Sequence, residues 1–362
     1  MITLFCIRPR GFNVGNDAIF VAMEHFIYEA FGQVVNLISL PAVSRYESQV
    51  NAGLTSRTIH EINQYGHGVI VGGGNLYENG ELEMNPDALE ALSVPLMLFG
   101  LSWGRIYNRH QKLVGRTDSM TPSRIVALNK KAGYSLVRDN ATLGHLREIG
   151  CTEAKVGGCP TIFINRMKDR LPRLPLYDEG SALVSVRNPS LMNVPLHKQA
   201  QVYSDIAAIT NALRQKGFPN VRLLCHDYRD IPFAASFGDI EYIYPGDVYT
   251  YLAILSSCSL NVSYRLHASL PCLAFNRPTI KISYDERSLS LMETIGFGEW
   301  NINMMETDNV VGDVLDRYNR LEELPTIRSN AGARWRDLEK AMADAFDAFA
   351  RDVKEYYEDN YL

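Results

Sequence analysis

Arg265 and His267 stand two positions apart where the apolar run LNVS gives way to a helix-like stretch in LNVSYRLHASLP. Ligands of α/β proteins bind at strand ends. A guanidinium fork beside an imidazole suits an anion at which a proton must also move. The next apolar run, TIKIS, leads into Tyr284, Asp285, Glu286 and Arg287, so two neighbouring strand ends present Arg265, His267 and Arg287 on one edge. Two arginines suppress an imidazolium between them until an anion compensates their charge. A dianion such as a phosphate ester, held bidentately, fits this set. A lone histidine is more often a hydrogen-bonded structural residue, and it is the flanking arginines that favour function.

Three other loops concentrate glycine, asparagine and charge. In RPRGFNVGNDAI, Gly11 and Gly15 permit a tight turn ahead of a helix, with Asn13 and Asn16 beside them. That helix start offers N–H groups to a ligand, or it is only a glycine turn with Asp17 favouring the helix dipole. It has neither dinucleotide-binding nor P-loop spacing. In VIVGGGNLYENG, consecutive glycines including Gly73 and Gly74, then Asn75, predict close backbone approach to another loop or a ligand. In SLVRDNATLGHL, Arg138 and Asp139 form either a ligand site or a structural ion pair with Asp139 as helix cap. SALVSVRN delivers Arg187 and Asn188 to a further strand end.

The elements that must position these loops follow from patterning. Short apolar runs at Ile2–Ile7, 68–71, 95–99, 134–137, 182–186, 221–225, 241–243, 260–263 and 279–283 alternate with amphipathic stretches such as 17–31 and 197–216. Such alternation predicts an α/β fold with parallel sheets. A proline-rich, charged break near 165–180 divides the 362 residues into units at 1–168 and 178–328, followed by a long helix over 330–358 that packs back on the first unit. The net charge of −5 argues against a nucleic-acid partner, and no block of Lys or Arg marks a membrane surface. The opening apolar run is too short for a signal peptide or a spanning helix. Six cysteines lack metal spacing and no carboxylate cluster suits a metal, so a cytoplasmic protein without a metal or other cofactor is expected.

Taken in order, NxG…DA, GGGNL, RDxxT, GCPT, SVRN, SYRLHA and ISYDER resemble the polysaccharide pyruvyl transferase family across most of residues 10–297. The resemblance implies a GT-B-like fold, two Rossmann-like domains facing across a cleft, with the acceptor on the first and the donor on the second. It implies transfer of pyruvate from phosphoenolpyruvate (PEP), as co-substrate, to sugar hydroxyls as a ketal on a lipid- or nucleotide-linked cell-envelope or exopolysaccharide precursor. Arg265 and His267 match the family's RLH motif, Arg138 its RD motif, and Arg187 a strand-end arginine. Arg138, Arg187, Arg265 and Arg287 are then candidates to hold PEP. His267, kept protonated by the bound anion, would protonate the methylene carbon beside Arg265, and Asp17 would accept a hydroxyl proton. Asn13, Gly15, Asn16, Gly73, Gly74, Asn75, Asn188 and Tyr284 would face the acceptor. Arg287 replaces a common lysine, Asn16 a frequent acid and Cys159 a frequent aspartate, which bears on the acceptor. A location at the inner face of the membrane and homo-oligomerisation stay open. Two alternatives share the fold: a glycosyltransferase using a nucleotide sugar, and a non-catalytic sugar- or nucleotide-binding protein.

Overall fold

Strands buried on both faces read as continuous apolar runs, and strands of this kind pair in parallel beneath covering helices. The computed structural model describes residues 1–11, 13–46, 51–175 and 180–361. Its first half holds β1 (Thr3–Arg8), α1 (Val14–Phe31), β2 (Asn36–Pro41), α2 (Ser56–Tyr65), β3 (Gly68–Gly74), α3 (Pro86–Glu90) and β4 (Leu96–Leu101). A small hairpin, β5 (Ile106–Tyr107) and β6 (Leu113–Val114), precedes α4 (Pro122–Lys131), β7 (Tyr134–Val137), α5 (Asn140–Glu148) and β8 (Lys155–Val156). After a 3-10 segment, Pro160–Arg170, come β9 (Ala182–Ser185), α6 (Leu196–Gln215), β10 (Val221–Leu224), α7 (Ile231–Ala235), β11 (Tyr242–Ile243) and α8 (Val248–Ser257). The chain closes with β12 (Leu260–Ser263), α9 (Leu266–Ala274), β13 (Thr279–Ser283), α10 (Glu286–Thr294), β14 (Ile302–Asn303), α11 (Val310–Asn319) and α12 (Leu324–Tyr361).

Two six-stranded sheets result, ordered β2-β1-β3-β4-β7-β8 and β11-β10-β9-β12-β13-β14. Their recorded strand pairs are parallel, and only the β5–β6 hairpin is antiparallel. Each sheet is covered by helices, giving the expected pair of Rossmann-like units. The start expected at 178 lies outside the described residues. The long C-terminal helix buries Met342, Phe346, Phe349 and Val353 in the core beneath β1 and α1, with Phe346 stacked on Phe26.

Helix α1 starts three residues before the periodicity suggests, because Asn13 caps it by accepting from the Gly15 amide. Strand β2 escapes the sequence reading. It is a half-exposed edge strand that ends in Pro41, a residue tolerated where no outer partner needs an N–H. The two-residue strands β5, β6, β8 and β14 are too short to leave a period. The strand order fixes the site. The ends of β10, β9, β12 and β13 lie side by side, as do those of β1, β3, β4 and β7.

Candidate functional site

A cavity of about 110 Å³ lies where these two rows of strand ends meet. Asn13, Asn16, Gly74, Asn75 and Arg138 line it from the first unit, and His226, Tyr264, Arg265, His267, Tyr284, Asp285 and Arg287 from the second. A larger cavity of about 530 Å³ adjoins it and shares Asn13, Asn16 and Asn75. Its further lining includes Arg10, Arg187, Asp118, Ser190 and Tyr228.

Arg138 follows β7 and is 4% exposed; its Nη2 donates to Ser102 Oγ at 2.8 Å, and its buried Nε has no partner. Asp139 caps α5 through the Thr142 amide, the structural half of the sequence reading. Arg265 is the extended residue ahead of α9, 8% exposed, its amide held by Ser263 Oγ. His267 sits in the first turn of α9 with its Nε2 buried and unpartnered. Burial first, then Arg138 and Arg265, push its pKa well below the usual 6.5. The imidazole is therefore neutral in the free protein, and only a bound anion can restore the charged form expected from sequence.

Gly15 acts by its size. A Cβ there would lie 2.9 Å from His267 Cβ and 3.1 Å from its Nδ1, so the histidine rests directly on the first turn of α1. Gly74 lines the cavity at φ 95°. Gly73 instead faces the core, where a Cβ would meet Ile19 at 2.8 Å, so its role is packing rather than acceptor contact.

Three other expected residues are engaged elsewhere. Asp17 pairs with Arg8 at 2.7 Å and lines neither cavity, because the first turn of α1 points it towards the end of β1. Arg287 reaches the cavity wall, but its fork is committed to Asp285, and its Nη1 donates to Glu78 Oε2 at 2.7 Å. Burial opposes the charge, yet Asp285 and Glu78 raise its pKa above the ordinary range, so its charge is already compensated. Asn188 holds its own loop, accepting from the Ser190 amide at 3.1 Å and donating to the Arg229 carbonyl at 3.2 Å. Arg187 belongs to the larger cavity, with long contacts of 3.4 and 3.5 Å to Asp230 and Asp227. Burial, then Arg265, lower its pKa, which sets the two guanidinium groups within electrostatic reach of each other. Tyr284 lines the smaller cavity and Cys159 is buried in the core against Thr161.

The sequence reading passes over Glu78 and His226. Glu78 is fully buried; burial pushes its carboxyl up against the pull of Arg287 and Arg116, and it accepts from the Gly104 amide at 2.7 Å. His226 follows β10 in LLCHD, the same strand-end position that singles out Arg187 and Arg265.

The family described as Polysaccharide pyruvyl transferase matches residues 13–286. A curated relative, the amylovoran biosynthesis protein AmsJ of Erwinia amylovora, is 23% identical over 221 residues, 52% of this chain and 52% of that protein. The match therefore spans about half of each. Among solved structures, a UDP-GlcNAc 2-epimerase of Methanocaldococcus jannaschii, in complex with UDP-GlcNAc and UDP, aligns with TM-score 0.54 and 10% identity. It covers 88% of this chain and 92% of that one. The Neisseria meningitidis UDP-GlcNAc 2-epimerase bound to UDP-GlcNAc aligns with TM-score 0.51 and 10% identity, covering 99% of both chains. At these identities the likeness establishes the two-domain fold and nothing further.

Proposed function

The chain belongs to the polysaccharide pyruvyl transferase family, and from that premise we propose that it moves the pyruvyl group of PEP onto two hydroxyls of a saccharide, without a metal ion, in exopolysaccharide synthesis. The observation that carries this reading is the small cavity between the sheets, where buried Arg138 Nε and His267 Nε2 both lack partners. Two guanidinium groups there suit the phosphate and carboxylate of PEP, and they supply the neutralising charge that a metal would otherwise bring.

Bound dianion raises the His267 pKa, and the imidazolium becomes the acid. Its proton goes to the methylene carbon of PEP, whose double-bond electrons form the new C–H bond and leave positive character on the adjacent carbon. A saccharide hydroxyl oxygen attacks that carbon, and its proton passes to the His267 imidazole, neutral after its donation. The bond to the phosphate oxygen then breaks, releasing inorganic phosphate. A second hydroxyl adds to the same carbon, its proton passing to the departing phosphate, and closes the ketal. Asn13, Asn16 and Asn75 line both cavities, so their amides can orient hydroxyls entering from the larger one. Exopolysaccharide as the destination is supported by the amylovoran-biosynthesis role in the name of the Erwinia relative, over the half of the chain that matches.

A thermal-shift titration tests the donor. At 100 times Kd a ligand adds about 2.7 kcal/mol of stability, so PEP should raise Tm by several degrees at concentrations where inorganic phosphate has little effect. A rise with UDP or GDP and none with PEP would refute the PEP reading and favour a nucleotide-sugar donor.

A further inference from the structure

His267 lies in α9, and the residue four positions on is Pro271. In an α-helix the carbonyl of residue i accepts from the amide of residue i+4. Proline has no N–H, so Pro271 leaves the His267 carbonyl without its helical donor. The bond made to that carbonyl is partly buried, where an unmet acceptor is costly.

The missing donor comes from α8. The Tyr251 hydroxyl donates to the His267 carbonyl. Tyr251 is fully buried, and burial pushes its pKa well above the usual 10, so it remains a phenol. With its one proton committed, its oxygen can only accept from another group. Against it lies His226, whose Nδ1 and Nε2 are 3.1 and 3.4 Å away. With both nitrogens at near-equal distance and the two rings 75° apart, the hydroxyl meets the face of the His226 ring, which backs it. Burial, then Arg265, His267 and Arg187, hold that ring neutral. The carbonyl of His226 in turn accepts from the Val14 amide at 3.0 Å, in the turn of α1 on which His267 rests.

We propose that Pro271, Tyr251 and His226 form a positioning relay for the reaction assigned above. Pro271 frees the His267 carbonyl, Tyr251 grips it, and His226 orients Tyr251, so that the acid is set by side chains rather than by the helix ladder. His226 and Tyr251 are positioning residues, and the inference rests on the pyruvyl-transfer reading for its kinetic arm. Holding a reactive group to within about 0.5 Å is what such supporting contacts do.

The kinetic test uses the full chain. Tyr251→Phe should lower kcat tenfold or more and leave KM for PEP within twofold, since Arg138 and Arg265 are untouched. His226→Leu should match it, while His226→Phe, which keeps a flat ring against the hydroxyl, should retain more activity. The Tyr251→Phe/His226→Leu double variant should be no worse than either single one, as groups acting as a unit are non-additive. Pro271→Ala restores an amide at position 271; added to Tyr251→Phe, it should recover kcat at least threefold. A Tyr251→Phe enzyme within twofold of wild-type kcat, a parallel rise in KM, multiplicative losses, or no recovery with Pro271→Ala would each overturn the relay.

A crystal structure of Tyr251→Phe, or of His226→Leu should the first not fold, needs no turnover. The His267 imidazole should move by about 0.5 Å or more, and an unmoved ring overturns the proposal. Absence of PEP-dependent transfer by the wild type would instead refute the function assigned above, and the relay would be decided by that crystal structure alone.

Discussion

Binding of PEP should carry a proton into the protein. In the free state burial, Arg138 and Arg265 hold His267 neutral, well below its usual 6.5. A phosphate monoester is largely dianionic at pH 7.5, its second pKa being about 6. One unit charge about 4 Å away is worth roughly 4 kcal/mol at an effective dielectric of about 20, or about three pKa units. A dianion in contact therefore outweighs either arginine, and the bound pKa rises above the free one. The sign follows: between the two values the complex holds a proton that the free protein lacks. Affinity then falls about tenfold for each pH unit through that window and levels off above the bound pKa. Titration calorimetry at pH 7.5 in buffers of differing ionisation enthalpy should report uptake of close to one proton per PEP, and His267→Gln should abolish it. Zero uptake by the wild type, with affinity flat between pH 7 and 8, would refute the assignment of His267 as the acid.

Arg265→Ala should weaken PEP binding about a hundredfold, near the 2–5 kcal/mol cost of removing one member of a desolvated charge pair; titration calorimetry reads this directly. Gly15→Ala places a Cβ 2.9 Å from His267 Cβ, and displacing a reacting group by about 1 Å costs about 10²-fold in kcat; steady-state kinetics should show that loss, and melting curves a drop in Tm matching an overpacking cost of about 1–3 kcal/mol. Arg287→Met leaves Asp285 without its guanidinium partner and Glu78 with only the longer 3.7 Å contact to Arg116, a loss of about 3–5 kcal/mol; a Tm drop is expected, with partial recovery on adding Glu78→Gln. The His145 pKa is raised chiefly by its 2.7 Å hydrogen bond to Glu286. Its stabilising contribution is therefore complete below the unfolded value near 6.5 and is lost as pH rises through the folded one. Melting curves should show Tm falling across that window in the wild type and not in Glu286→Gln.

The fold was legible because both sheets are buried, so strands appear as apolar runs and helices as stripes. The site was legible as far as strand ends reveal it: Arg138, Arg265 and His267 converge as their loops suggest. Pairing was not legible. Arg287 and Glu78 are 209 residues apart in sequence, so a charge that reads as available for a ligand is spent on the other domain. Asp17 follows the same rule on a shorter scale, since helix phase rather than spacing directs it to Arg8. Glycines were ambiguous for a related reason. Gly73 and Gly15 both permit close approach, but Gly73 yields to Ile19 in the core while Gly15 yields to His267. His226 could have been found, because LLCHD ends a strand as SVRN and NVSYR do, but it was hidden beside a cysteine that reads as core.

If the cavity takes PEP as proposed, the distribution of arginine charge would keep it inert until that donor arrives. Arg287 is balanced by two carboxylates and ties the domains together. Arg138 has a bond to Ser102 and a free Nε, so its charge is directed at the cavity and at His267. The uncompensated charge serves twice: it attracts an anion, and it keeps the acid unprotonated while the anion is absent. If Arg138 were neutralised by a carboxylate as Arg287 is, one cause of the low His267 pKa would be removed, while burial and Arg265 would remain, and binding would be less tightly coupled to arming the acid. Arg138→Gln should therefore raise the His267 pKa in the free protein and reduce proton uptake on binding, in addition to weakening PEP. Weakened binding with full proton uptake would show that Arg138 holds the donor without controlling the acid.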